Sequence, residues 1–212
     1  MRPARERSTA LSLARASHQV AFALLCAPGL ASAPVRKVAE AAQVSLGTAH
    51  NTLKELADAG FLSDSRLLRA DLLLDEWAEA YQRLTFPLLT PRRLYAEGPA
   101  WVERVLRDPS GGVLLGGAAA AEVLTGAVRA TDGIAYVRDV GRAVALLRLV
   151  PSPTPFRVDI REQFWGDGIP LPRPGVVPAV LVYGDLLRDG DARLASVARN
   201  LRELDAHLRA LG

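Results

Sequence analysis

A chain of 212 residues, half of them apolar and 23% charged, carries enough apolar material to bury a core and too much to remain disordered. No apolar run reaches the roughly 18 residues that a membrane-spanning helix needs, and Val20–Leu25, the nearest, is far too short. The net charge of +3 is unevenly placed: residues 1–70 hold nine Lys/Arg against five Asp/Glu, whereas the other 142 hold 17 against 18. That asymmetry suits a chain whose first part meets phosphate and whose second part does not. The single cysteine, Cys26, excludes an internal disulfide and, set among apolar residues, reads as a buried thiol.

Residues 1–7 form a basic arm with Arg2, Arg5 and Arg7. They lack the apolar stretch and cleavage site of a secretory signal in the expected order, so a cytoplasmic location is expected. Leu11, Leu13, Val20, Phe22, Leu24 and Leu25 make residues from about Ser8 to Leu30 a helix, stopped by Pro28-Gly29. Val35–Phe61 then scans as two short helices joined by a tight turn, the second beginning after Ser45 as N-cap and stopping at Gly60 in the left-handed conformation. Val35, Val38, Ala39 and Ala42 give the first helix its buried stripe, with Val44 plugging the turn. Leu46, Ala49, Leu53 and Leu56 give the second helix its stripe and leave Gly47, Thr48, His50, Asn51 and Lys54 toward solvent. FLSDSRLLRA reads as two strands around a Ser-Asp-Ser turn, a small wing carrying Arg66 and Arg69.

This order is that of a winged helix-turn-helix. Short polar side chains at the start of a groove-lying helix reach base edges, as Thr48, His50 and Asn51 would. Arg36, Lys37, Lys54, Arg66 and Arg69 would meet phosphates, and the helix start at Ser45 can hold another. The expected double-stranded-DNA contacts are therefore Arg36, Lys37, Ser45, Gly47, Thr48, His50, Asn51, Lys54, Arg66 and Arg69. A protein partner is the competing reading of the same hairpin, because a fold does not dictate what it binds.

Residues 71–90 begin with an amphipathic helix (Leu72, Leu73, Trp77, Ala80, Tyr81) read as a linker between the 1–70 DNA-binding domain and a second domain over 91–212. Pro87–Pro109 is expected to be extended or looped, with a short helix at Trp101–Leu106. Beyond it come a strand at Val113–Leu115, a helix at Ala118–Val128 and a strand at Ile134–Val137. A short helix at Gly141–Leu146, strands at Leu147–Val150 and Phe156–Ile160, a buried helix or strand-helix unit at Val176–Leu187 and one long helix at Asp191–Leu211 complete the chain. The fold class expected is α+β.

Catalytic chemistry finds little support in these residues. The histidines His18, His50 and His207 lie in separate segments without clustered ligands, so no metal or other cofactor is expected. The Gly111–Gly117 run lacks the Lys-Ser/Thr ending of a phosphate loop and reads as glycines flanking a strand, the second pair allowing close approach of the following helix. Asp159 is the strand-borne acid that could mimic a nucleotidyltransferase metal site, but the position two residues on is Arg161. Asp185, Asp189 and Asp191 surround a helix-helix turn, with Asp191 an N-cap. An enzyme is not expected.

Two further stretches carry a resemblance. GGAAAAEVLTG (Gly116, Gly117, Ala120, Leu124, Thr125, Gly126) and VYGDLLRDGDARL (Val182, Tyr183, Asp185, Leu186, Leu187, Gly190, Asp191, Arg193), behind a winged helix-turn-helix, resemble the AbiEi antitoxins of type IV toxin-antitoxin systems. Gly184 stands where alanine is expected. The resemblance implies an N-terminal domain that represses its own operon and a C-terminal domain that counters a nucleotidyltransferase-like toxin encoded nearby. The alternative is a stand-alone regulator whose second domain binds an effector or dimerises.

Overall fold

The computed structural model describes residues 15–85, 89–90 and 93–212, so the basic arm and the start of the expected first helix lie outside the described residues. Helix α1 (Arg15–Cys26) owes its place to Val20–Cys26, a stretch buried on every side. A helix apolar all round must be central, and α1 is packed by elements that follow it both near and far in the chain. A 3-10 turn (Pro28–Ser32) leads to α2 (Val35–Ala42), which Pro34 precedes as N-cap. The chain reverses at Gln43, whose φ of +53° is left-handed, while the Val44 N–H donates to the Ala39 carbonyl at 3.1 Å. That bond closes the end of α2 as a Schellman turn does. α3 (Leu46–Asp58) follows, and Gly60 at φ +76° ends it as expected.

The hairpin after α3 is minimal: β1 (Leu62–Ser63) pairs antiparallel with β2 (Arg66–Leu67). Asp64 and Ser65, at φ +48° and +60°, give it the double left-handed turn whose twist matches two paired strands. α4 (Ala70–Arg83) forms where a linking helix is expected, and it does more than link. Its Leu73, Leu74, Trp77, Ala78 and Tyr81 are buried between α1 and α8 (Ala179–Arg188). Leu72 stays exposed and Ala80 half-buried, because the buried face turns toward Leu74 and Ala78.

The remaining residues build a mixed five-stranded sheet in the order β4-β5-β7-β3-β6. Its strands are β3 (Leu94–Ala96), β4 (Val113–Gly116), β5 (Gly133–Val137), β6 (Leu149–Val150) and β7 (Arg157–Glu162). Only β5 and β7 run parallel, in the register Ile134 to Asp159 and Tyr136 to Arg161. α5 (Ala100–Arg107), α6 (Gly117–Thr125) and α7 (Val140–Leu147) alternate with the strands. Among the described residues the result is mixed α and β with ten helices and two sheets.

Two open expectations are decided and one is corrected. The proline-rich stretch expected to be extended or looped is extended at β3, where it pairs with both β6 and β7. The buried helix or strand-helix unit expected at 176–187 takes the second form: a single bridge, Leu115 to Val176, is followed by α8 starting at Ala179, since Pro178 cannot sit inside a helix. The long last helix is two, α9 (Ala192–Leu204) and α10 (Ala206–Ala210). They break at Asp205, whose carboxylate accepts the His207 and Leu208 N–H groups at 3.0 Å. Asp191 caps α9 as expected, accepting the Arg193 N–H.

Gly184 has a packing reason. A Cβ there would meet Trp77 ring carbons at 2.7 and 2.9 Å and Tyr81 Cδ1 at 3.0 Å, so glycine lets α8 lie close against α4. A second seam joins α1 and α2 to the loop after β7. The Gly166 N–H donates to the Ala41 carbonyl at 2.9 Å and Gln19 Nε2 donates to the Phe164 carbonyl at 3.1 Å. Phe22 packs on the rings of Phe164 and Trp165. No described helix is long and apolar enough to cross a membrane.

Candidate nucleic-acid interface

The outer face of α3 begins at its cap. Ser45, in extended conformation, accepts the Thr48 N–H at 3.1 Å and lies 2.8 Å from the Thr48 hydroxyl, so its oxygen is committed to holding the first turn. Ala49, Thr52 and Leu56 face inward, and the Thr52 hydroxyl donates to Ser17 on α1 at 3.2 Å. That leaves Gly47, His50, Asn51 and Lys54 exposed and Thr48 half-buried. The expected polar face is therefore present.

One residue expected inside is outside. Leu46 keeps 57% of its surface exposed although Leu53, seven residues on, is half-buried on the same line of the helix. Core burial follows neighbours, not period alone, and the first turn of α3 starts beyond the end of α2 at Ala42. Thr52 is the opposite case, a polar residue that the sequence pattern did not place in the core.

The cations sit in three settings. Arg36 and Lys37 on α2 are exposed, and both pair with Glu40, at 3.3 and 3.0 Å. The Lys37 hydrogen bond, with the nearby charges of Lys37 and Arg36, holds the Glu40 carboxyl below the usual range. Exposed pairs of this kind exchange readily for another anion, because solvent screens them and holding two long side chains together costs entropy. Lys54 on α3 and Arg66 on β2 are exposed and have no ion-pair partner among the described residues.

Arg69 is placed differently from its expected role. Its guanidinium donates to the Gly60 and Ala59 carbonyls at 3.2 and 2.5 Å and lies over the Phe61 ring, 4.8 Å from the centroid. A cation there satisfies the open carbonyls at the end of α3 and complements the negative end of its dipole.

The second part of the chain carries a buried polar hub. Asp185 on α8 is 4% exposed, and its Oδ1 accepts from Tyr81 at 2.7 Å, Tyr136 at 2.9 Å and Arg161 at 2.8 Å. Its Oδ2 accepts the Gly117 N–H at 3.1 Å. Burial pushes the Asp185 carboxyl upward, and the Arg161 charge, the two hydroxyls and the amide pull it back. Burial and Asp185 push both tyrosine hydroxyls well above their usual range, so both remain proton donors. Gly116 is required beside the hub: a Cβ would lie 2.6 Å from the Tyr136 ring and 2.8 Å from Asp185 Oδ2. What comes close at Gly116 is Tyr136 of β5 and Asp185 of α8, not the following helix α6 that the second glycine pair was expected to admit.

The hub floors an open cleft of about 280 Å³, whose rim includes Asp132, Arg157, Asp159 and Arg188. Arg157 pairs with Asp132 at 3.3 Å and with Asp159 at 3.6 Å, so the rim charges neutralise one another. Among the described residues no three His, Cys, Asp or Glu side chains come together as a metal would need. Sequence spacing gives Asp185, Asp189 and Asp191 nothing they must bind, and no central place to Asp185. A lone acid inside the apolar run Val180–Leu187 is the signal that marks a buried partner elsewhere.

A three-helix head with a two-stranded hairpin, fastened to a mixed-sheet body, is the class of molecule these elements define. The family model described as "Transcriptional regulator, AbiEi antitoxin, Type IV TA system" matches residues 66–207, from the hairpin to α10. The chain belongs to this AbiEi antitoxin family of type IV toxin-antitoxin systems. No curated protein and no solved structure matches it.

Proposed function

We propose that the chain is a DNA-binding repressor of its own operon and the antitoxin that counters a nucleotidyltransferase-type toxin. The observation that carries the DNA reading is the capped α3, with Gly47, His50, Asn51 and Lys54 exposed on its outer face. Arg36 and Lys37 lie on α2, packed against α3, and Arg66 lies on β2, whose partner strand β1 packs against α3. Thr48, His50 and Asn51 read base edges, and Lys54, Arg66, Arg36 and Lys37 hold phosphates. Ser45 acts through the helix start it fixes, and Arg69 through the end of α3 that it ties down. Membership of the antitoxin family supports a toxin as the second partner. The reading places the protein in the cytoplasm, where its promoter and toxin are.

The test is binding of the full chain to the promoter region of its own gene across a salt series. The log of affinity falls with the log of salt, and Lys54→Ala with Arg66→Ala together lower that slope by about two contacts. Salt-independent binding, or a double variant that binds as the parent does, overturns the DNA reading. Co-expression of the full chain with the product of the adjacent nucleotidyltransferase-like gene tests the antitoxin reading. Restored growth supports it, and unrelieved toxicity overturns it.

A further inference from the structure

The residue that departs most from its expected place is Leu46, and its position gives it a use. It is the first residue of a 13-residue helix whose opening turn Ser45 locks. An exposed leucine is ordinary on a protein surface, but this one stands at the end of a helix that, in the proposed docking, enters the major groove first. Leu46, His50 and Lys54 follow one another at i, i+4 and i+8, a single ridge running from an apolar tip to a cation. Beside the tip, Gly47 has nothing within 4 Å of where a Cβ would be, so the flank of Leu46 is open to a flat base edge. The exposed Lys54 and Arg66 give the surroundings the charge that suits a polyanion.

We propose that Leu46 reads the 5-methyl group of thymine in the major groove, making it a specificity-determining residue. This rests on the DNA-binding reading above. Thymine alone of the four bases presents an apolar group in that groove, and contact with an aliphatic side chain is how it is told from cytosine.

The experiment uses a duplex enriched from a random pool by the full chain, prepared with thymine or with deoxyuridine, which keeps every pairing group and lacks the methyl. Wild type is expected to bind the uracil duplex about fourfold more weakly per contacted base, the weight of one buried methyl. Leu46→Ala is expected to bind the thymine duplex more weakly by a similar factor and to distinguish the two duplexes no longer. Any change in duplex shape caused by uracil affects both proteins, so only the difference between them reports on Leu46. Equal binding of both duplexes by wild type overturns the inference while leaving the DNA reading intact, and does so without the variant. The same holds if Leu46→Ala retains the full preference, or if its effect is a changed oligomeric state. Failure to enrich any duplex, or salt-independent binding, overturns the DNA reading and the inference with it.

Discussion

Asp185 shows how much one side chain can hold. It joins α8 to α4 through Tyr81, to the sheet through Tyr136 and Arg161, and to the start of α6 through the Gly117 amide. Asp185→Asn is expected to cost about 3 kcal/mol in urea unfolding, because it leaves the half-enclosed Arg161 charge without its counter-ion. Replacing both, as Asp185→Leu with Arg161→Met, is expected to recover part of the loss, since two apolar groups leave nothing unpaired. His18 makes a pH-dependent contribution. Buried against Trp77 and bonded to its carbonyl, it is held neutral, its pKa brought down to about 4 by desolvation. The unfolded chain takes up its proton near 6.5, so the contribution is complete above that pH and is lost as pH falls toward 4. The shift corresponds to about 3 kcal/mol, and His18→Gln should flatten the fall in melting temperature over pH 7 to 4 relative to the parent. A parallel fall in both proteins would assign the loss to other groups.

At the scale of elements, Gly184 sets a sharper test than any propensity. In a solvated helix Gly to Ala gains about 1 kcal/mol; here the added methyl meets the Trp77 ring at 2.7 Å. Gly184→Ala is therefore expected to destabilise by about 1 to 3 kcal/mol, measured by thermal unfolding, and a more stable variant would show that α4 and α8 can spread apart. Elements that rest on period were legible from the sequence: α2, α3, α4 and α6 fall within a few residues of where their apolar spacing puts them, as does the start of α9. Elements that rest on partners were not. β3 is three residues among prolines, too short to show an alternation, and exists because β6 and β7 flank it. The break at Asp205 is hidden because the apolar pattern runs on through Leu208, and only the bonds to the two amides reveal a cap. The outer face of α3 was legible as the complement of Ala49 and Leu56. The engagement of Arg69 was not, since it depends on the chain turning back through a left-handed residue at Arg69 itself.

For the whole molecule, the seam at Phe164–Gly166 decides how head and body behave together. The Ala41 carbonyl is an open acceptor at the end of α2, and Gly166 is the residue that fills it; a Cβ on Gly166 would lie 2.5 Å from the Glu40 carbonyl oxygen. Gly166→Ala should therefore part the loop from α2, with faster amide exchange in α2 than in α9, and exchange changed equally in both would refute that local effect. The same loop packs Trp165 at a tilt against Tyr136, one of the donors to the Asp185 hub. A chimera made by cutting after the hairpin and grafting the head onto a foreign body would carry away α1 with Phe22 uncovered and the Ala41 carbonyl bare. Transplanting this reading head requires that residues 164–166 travel with it, or that the new host supply a loop of the same shape.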